Sequence, residues 1–271
     1  MDFSQFADYH MHTPLCRHAN GEPIDYAKIA LETGLSEIGF SDHSPAKEDD
    51  FDDWRMRLSE FPEYLQLVQN AKKGVPEISV KLGLEIDYFE KGHAWIEELS
   101  SMADFDYLIG SVHYIAPGFD IDNPKWIGRW SGIAEVEEIW TCYWKIYTSC
   151  VRSGLFDLLA HPDLPKKFGH KPNGDLRRYY EPVIEAALET NTAIEINTSG
   201  WRKECAEQYP ERDFLEMMVS AGIPTSISSD AHSPQEVGMN FKEAASLASD
   251  IGFTHTVRFN NRTRTEIPFS I

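Results

Sequence analysis

Short apolar runs rich in β-branched residues alternate along this chain with stretches of helical period. Glu37-Ile38-Gly39-Phe40-Ser41, Ile78-Ser79-Val80-Lys81-Leu82, Asp106 to Val112, Phe156 to Ala160, Thr192 to Asn197 and Pro224 to Ser228 read as strands, after a first strand ending at His12. Between the first two, Pro23 opens a helix that sets Ile24, Ala27 and Leu31 at i, i+3, i+7 and stops at Gly34, the place for a left-handed cap. Residues 61 to 73 read as a second helix. The strongest spans 132 to 153, where Ile133, Val136, Trp140, Tyr143, Trp144, Tyr147 and Val151 make one wide apolar face, a core face rather than a cofactor site. A last helix runs to about Ile251, and Thr256 to Phe259 closes the chain. Strands alternating with helices predict a parallel sheet wrapped by helices. Residues 44 to 62 break the pattern: Lys47 to Trp54 is acidic and turn-rich, reading as a solvated loop, with a lid as the other reading.

The polar residues at the strand ends carry the chemistry. In Asp8-Tyr9-His10-Met11-His12 the two histidines stand at i and i+2 of an extended segment, so both imidazoles project to one point, and His18 follows closely. Asp42-His43, Glu85, His113, His161 and Asp230-Ala231-His232 then recur after apolar runs. The carboxyl ends of parallel strands are where a β/α barrel gathers its site. Three further histidines, His93, His170 and His255, fall in helical, loop and edge contexts with no assigned chemistry.

Composition narrows the partners. A chain of 271 residues, 42% hydrophobic, is long enough for one α/β barrel, so residues 1–271 are expected to form a single domain. The net charge of -19 argues against nucleic acid and anionic membranes, and an anionic substrate would need local positive charge. The acidic N-terminus, the lack of a long apolar run and four cysteines without CxxC pairing lead us to expect a soluble protein of the reducing cytoplasm. Cys16, near the histidines, reads as filler.

In combination these motifs resemble the polymerase and histidinol phosphatase (PHP) superfamily, over essentially the whole chain. Trp54 to Leu58, Lys81 to Tyr88, Asp157 to Asp163 and Ile196 to Gly200 are similar to its bacterial histidinol-phosphate phosphatase branch. The resemblance implies an α/β fold, a distorted (β/α)7 TIM-like barrel with the metal site at the C-terminal ends of its strands and a final segment near Phe259 that need not be an eighth strand. It also implies three divalent metal ions. His10, His12 and Asp230 would hold one, bridged by Glu85 to a second bound by His113 and His161, while His18, His43 and His232 would hold the third. Imidazoles with a few carboxylates suit zinc, manganese or iron. The implied activity is metal-dependent hydrolysis of a small phosphomonoester, L-histidinol phosphate, to L-histidinol and phosphate in histidine biosynthesis. A phosphoesterase acting on nucleotides or diesters is the alternative, opposed by the acidic charge and the lack of a large inserted domain. A non-catalytic metal-binding domain would be expected to have lost ligands.

Three divalent ions against Glu85, Asp230 and a bridging hydroxide leave roughly three positive charges, enough to draw a phosphate to an acidic protein. Asp42 is a candidate general acid or substrate contact, and equally a carboxylate that orients a histidine. Arg202, beyond the sixth strand, is the candidate for a two-pronged grip on the phosphate.

Overall fold

The computed structural model describes residues 1–271. In chain order the regular elements are β1 (Ala7–Asp8), α1 (Pro23–Thr33), β2 (Glu37–Phe40), α2 (Phe61–Gly74), β3 (Ser79–Leu82), β4 (Glu85–Asp87), α3 (His93–Ser100) and β5 (Ile109–Ser111). There follow β6 (Tyr114–Ala116), β7 (Phe119–Asp120), α4 (Ile133–Arg152), β8 (Leu158–Leu159), α5 (Arg177–Thr190), β9 (Ala193–Asn197), α6 (Arg212–Ala221), β10 (Thr225–Ser228), α7 (Phe241–Ile251), β11 (His255–Asn260) and β12 (Thr263–Pro268).

Two parallel sheets, β1-β2-β3 and β10-β9-β8-β5-β4, form the wall. They share one long strand: β3 pairs with β2, the chain breaks step at Gly83-Leu84, and β4 continues alongside β5. Parallel bridges join the sheets at both edges, His43 with Glu85 and Met11 with Ala231, the latter through His12 N–H to Ala231 O at 2.9 Å and Ala231 N–H to His10 O at 3.0 Å. Counting β3 and β4 as one, seven strands surround the interior, which is the architecture of a distorted (β/α)7 barrel. The expected strand before Glu85 is thus interrupted, and the break lets it serve two neighbours of different slant. Gly39 and Gly83 are required there, because a Cβ would stand 2.3 Å from the Tyr107 hydroxyl at the first and 2.3 Å from the Tyr107 ring at the second.

The chain after Ile251 is no wall strand. β11 and β12 make an antiparallel hairpin whose Val257 and Phe259 pack with Tyr9, Tyr107, Ile109 and Leu158. Asn261 and Arg262 at its turn bond Asp106, while Arg264 donates to the Asn191 carbonyl. Asp106 and Asn191 each precede a barrel strand, so the hairpin seals the N-terminal end and leaves the opposite end open.

Helices cover the outside. In α4, Val136, Trp140, Tyr143, Trp144, Tyr147 and Val151 are buried as expected, but Ile133 is 69% exposed because it is the first helical residue, beyond the packed face. The buried stripe of α1 is Pro23, Tyr26, Ala27 and Ala30; Leu31 lies outside it, 42% exposed. Gly34 does cap α1, with φ +90° and its N–H bonded to the Ala30 and Leu31 carbonyls. Helices α3, α5 and α6 and the β6–β7 hairpin carry no expectation from the sequence pattern: α3 is only eight residues, and Pro182 interrupts the signal of α5. No helix is long and apolar enough to cross a membrane.

Candidate metal centre

At the open end, the residues after β1, β2, β5, β8 and β10 converge on Glu85, the first residue of β4. The short first strand ends at Asp8, yet the backbone stays extended enough that His10 and His12 face the same point, their ring centroids 5.2 Å apart. Glu85 Oε2 lies 3.4 Å from His10 Nε2, 3.8 Å from His12 Nε2 and 2.7 Å from His43 Nδ1. Its other oxygen lies 3.1 Å from His161 Nε2 and 3.7 Å from His113 Nε2. Asp230 Oδ1 is 3.3 Å from His12 Nε2 and 3.8 Å from His10 Nε2. His18 and His232 stack at 4.6 Å between centroids, with their Nε2 atoms 3.0 Å apart. Backbone at this end is bent into the left-handed region at His161 (φ +21°), Asp163 (+59°) and Asp230 (+53°), conformations that a site imposes at some cost.

The fit to metal ions can be tested on the donors themselves. His10 Nε2 and His12 Nε2 are buried without a hydrogen-bond partner, and buried Glu85 Oε2 has the His43 ring beside it, at 2.7 Å. Unpartnered buried polar atoms carry a desolvation penalty that an ion held between them removes. Potential ligand atoms lie within 4.8 Å of one another in overlapping trios: His18, His43 and His232; His10, His161 and Asp230; His10, His12 and Glu85; His43, Glu85 and His113. Glu85 belongs to two of these trios, and through His10 and His43 those two overlap the others. Cys16 comes equally near His12 and His232, and burial pushes its thiol pKa up.

Behind the histidines stand carboxylates that fix each ring. Glu195 Oε1 faces His10 Nδ1 at 3.0 Å, Asp87 Oδ1 faces His113 Nδ1 at 2.9 Å and Asp42 Oδ1 faces His12 Nδ1 at 3.3 Å. His18 Nδ1 uses the Cys16 carbonyl at 2.7 Å. Such partners select the tautomer that leaves Nε2 free to bind. Asp42 is completely buried and also accepts from Thr13 N–H at 3.2 Å, the Thr13 hydroxyl and His43 N–H at 2.9 Å. A carboxylate so enclosed has no route to a substrate oxygen, so the geometry favours orientation of His12 over a general-acid role. Glu195 and Asp87 were absent from the sequence reading; a charge inside the apolar run Ala193–Asn197 was the available signal.

The cleft above holds 270 Å³ and is lined by seven of the candidate ligands, all but His10 and His12, together with Arg202, Lys167, Lys203 and Asp122. Arg202 closes the short helical turn Thr198–Arg202, where Gly200 is obligatory because a Cβ would stand 2.1 Å from the Glu207 carbonyl. Its Nη2 donates to the carbonyls of Ser229 (2.8 Å) and Asp230 (3.4 Å), while Nη1 is buried without a partner. Lys167 Nζ donates to Asp122 O at 2.8 Å and lies 3.2 Å from its carboxylate; burial opposes that charge, but Lys167 and His113 hold the Asp122 pKa at about 2. Neighbouring Lys166 is fully buried among Asp163, Glu207 and Gln208 O, and Arg129 lies over Phe119. Within residues 44 to 62, Lys47 to Phe51 are exposed as a solvated loop would be, but Trp54 packs edge-on to His43 at 4.7 Å and Arg55 is buried beneath it. His93, His170 and His255 lie away from the centre, bonded or stacked to Tyr88, Trp130 and Thr254 respectively.

A barrel with histidine and carboxylate donors clustered at its C-terminal end defines a metal-site α/β protein, and comparison with known proteins makes the class specific. The PHP domain model matches residues 8–199, and the chain belongs to that family. It is 38% identical over 256 residues to a protein of Deinococcus radiodurans named "Probable histidinol-phosphatase", covering 94% of this chain and 96% of that one. The "Histidinol-phosphatase" of Bacillus subtilis is 27% identical, covering 88% and 97%. Among solved structures, histidinol phosphate phosphatase from Lactococcus lactis, complexed with zinc, L-histidinol and phosphate, superimposes with a TM-score of 0.79 at 21% identity, covering 96% of this chain and 99% of that one.

Proposed function

We propose that this protein is a phosphoric monoester hydrolase that converts L-histidinol phosphate to L-histidinol and phosphate, with residues 1–271 acting as one catalytic unit. Nine residues, His10, His12, His18, His43, Glu85, His113, His161, Asp230 and His232, would share three divalent ions of zinc, manganese or iron. The observation that carries this reading is the convergence of buried, unpartnered donor atoms on Glu85 beside the free Nη1 of Arg202. The similarity to named histidinol-phosphatases supplies the substrate.

Bound ions would supply hydroxide from water near neutral pH and neutralise the phosphoryl oxygens during in-line displacement. The chain does the rest. Glu85 and Asp230 bring charge to the ions, and Asp42, Asp87 and Glu195 hold three rings from behind. Those three carboxylates together offset the roughly three positive charges counted on ligands alone. Attraction for phosphate therefore falls also to Arg202, Lys167 and Lys203 on the cleft wall. Arg202 Nη1 would meet a phosphoryl oxygen there, because it is otherwise a buried donor without an acceptor. Binding of the remote imidazole and amine would position the phosphorus and raise turnover over simple alkyl phosphates.

Phosphate release by metal-loaded protein across a panel of phosphomonoesters and diesters tests the reading. Histidinol phosphate is expected to have the highest kcat/KM; a nucleotide or diester turned over better would overturn it in favour of the other PHP activities.

A further inference from the structure

The segment between β2 and α2 is held by one side chain. Arg55 is 6% exposed, and its guanidinium is spent on three acceptors: Nε donates to Asp52 Oδ2 at 2.7 Å, Nη2 to Asp87 Oδ2 at 2.7 Å and Nη1 to Ser44 O at 3.3 Å. Asp87 has its other oxygen on His113, 2.9 Å from Nδ1 and 3.2 Å from the backbone N–H. Arg55, Asp87 and His113 thus form an unbroken line from the segment into the candidate metal centre. The guanidinium also lies 4.4 Å from the Trp54 ring centroid, and that indole packs edge-on to His43 at 4.7 Å and His113 at 5.4 Å. Trp54 Nε1 donates to Tyr114 OH at 3.0 Å, and Tyr114 OH donates to Asp52 Oδ2 at 2.8 Å, which closes the network on itself.

We infer that Arg55 is a positioning residue: it fixes Asp87 against His113 and clamps Trp54 over the His43 and His113 side of the centre. This rests on the metal-centre reading above. A lone carboxylate behind His113 could swing about its χ torsions, whereas the planar fork of an arginine pins one carboxylate oxygen and leaves the other aimed at Nδ1. His113 Nε2 then stays directed at Glu85. Arg55 also supplies the opposite charge for Asp87, which is otherwise a buried anion with only an imidazole beside it. The same residue joins the segment to the centre, so a segment anchored through Arg55 holds His113 in its binding orientation.

The test is zinc affinity of the full-length protein, read by competition with a chromophoric chelator, for wild type, Arg55→Met and Arg55→Lys. Arg55→Met should weaken the tightly held zinc by about 10- to 100-fold, the usual effect of removing an outer partner of a ligand. Arg55→Lys, which keeps the charge but cannot span Asp52 and Asp87 together, should fall between. Folded Arg55→Met with zinc affinity within twofold of wild type, even at a lowered melting temperature, overturns the inference and leaves Arg55 a purely structural residue. Should Arg55→Met fail to fold, Arg55→Lys decides: weakened zinc binding supports the role and wild-type affinity overturns it. Wild-type protein that binds no zinc, manganese or iron overturns the metal-centre reading first, an outcome separate from any failure of Arg55.

Discussion

Glu195 grips His10 from behind, with Oε1 3.0 Å and Oε2 3.2 Å from Nδ1, and the same Oε1 accepts the backbone N–H of His161 at 2.9 Å. One buried carboxylate therefore sets the position of two candidate ligands that follow β1 and β8, strands separated in the wall by β9 and β10. Asn197 Nδ2 ties it further, 2.7 Å from Oε1 and 3.3 Å from Asp230 Oδ2.

Glu195→Gln should keep the shape and lose the charge that favours a metal-binding His10. We expect zinc affinity to fall by about 10- to 100-fold with the circular dichroism spectrum unchanged. Chelator competition measures it, and a change below twofold would show that His10 needs no anionic support.

Metal content follows from the donors. Elemental analysis of reconstituted protein is expected to find close to three transition-metal ions per chain, and fewer than two would sink the three-ion proposal. Glu85 approaches five histidines, so Glu85→Gln should abolish turnover with the fold retained, as should His10→Asn.

The order of strands and helices was legible because periodicity is local. His10, His12, Glu85, His113 and His161 could be picked out because each ends or follows an apolar run, and strand ends are where a barrel gathers its groups. What stayed hidden depends on pairing between distant segments. The partner switch at Gly83 is set by the slant of neighbouring strands, and the support of His10 by Glu195 spans 185 residues. Residues 44 to 62 looked like a solvated loop because composition reports polarity; that Arg55 finds Asp87 below it is a tertiary fact. Leu31 and Ile133 were misplaced for a simpler reason, since helical spacing identifies a stripe but not where the covering layer ends.

The metal-free protein should lose stability as pH rises from 6.5 to 9. Burial opposes charging of His12 and His113, but Asp230 and Asp42 around the first, and Asp87 and Glu85 around the second, push their pKa values up to about 9 and about 10. A histidine raised above its ordinary 6.5 stabilises the fold fully below 6.5 and loses that contribution as pH climbs through 9 to 10. His43 and His232 are held well below 6.5, by burial first, so they act in the opposite sense and weaken the fold as pH drops below 6.5. Metal binds the deprotonated rings, so the gain in melting temperature on adding zinc should grow between pH 6.5 and 9. Thermal unfolding with and without chelator checks this, and a metal-free melting temperature that rises over that interval contradicts it.

Arg202 joins two roles that kinetics can separate. Nη1 is a buried donor without a partner, Nη2 holds the carbonyls of Ser229 and Asp230, beside a candidate ligand, and Nε lies 3.6 Å from Glu236 Oε1 on the cleft wall. Loss of a charge-assisted bond to phosphate should cost about 1.5–3 kcal/mol, or roughly 10- to 150-fold in kcat/KM. Arg202→Lys is the sharper variant, because one ammonium cannot reach the carbonyls and the phosphate together. If Nη1 binds phosphate, Arg202→Met should lower kcat/KM by that factor and weaken competitive inhibition by inorganic phosphate, with zinc content unchanged. If the Nη2 bonds matter more, zinc content should fall with activity, because Asp230 is no longer held at its left-handed backbone. Kinetics within about twofold of wild type would leave phosphate to the metals or to Lys167 and Lys203, the remaining cations on the cleft wall.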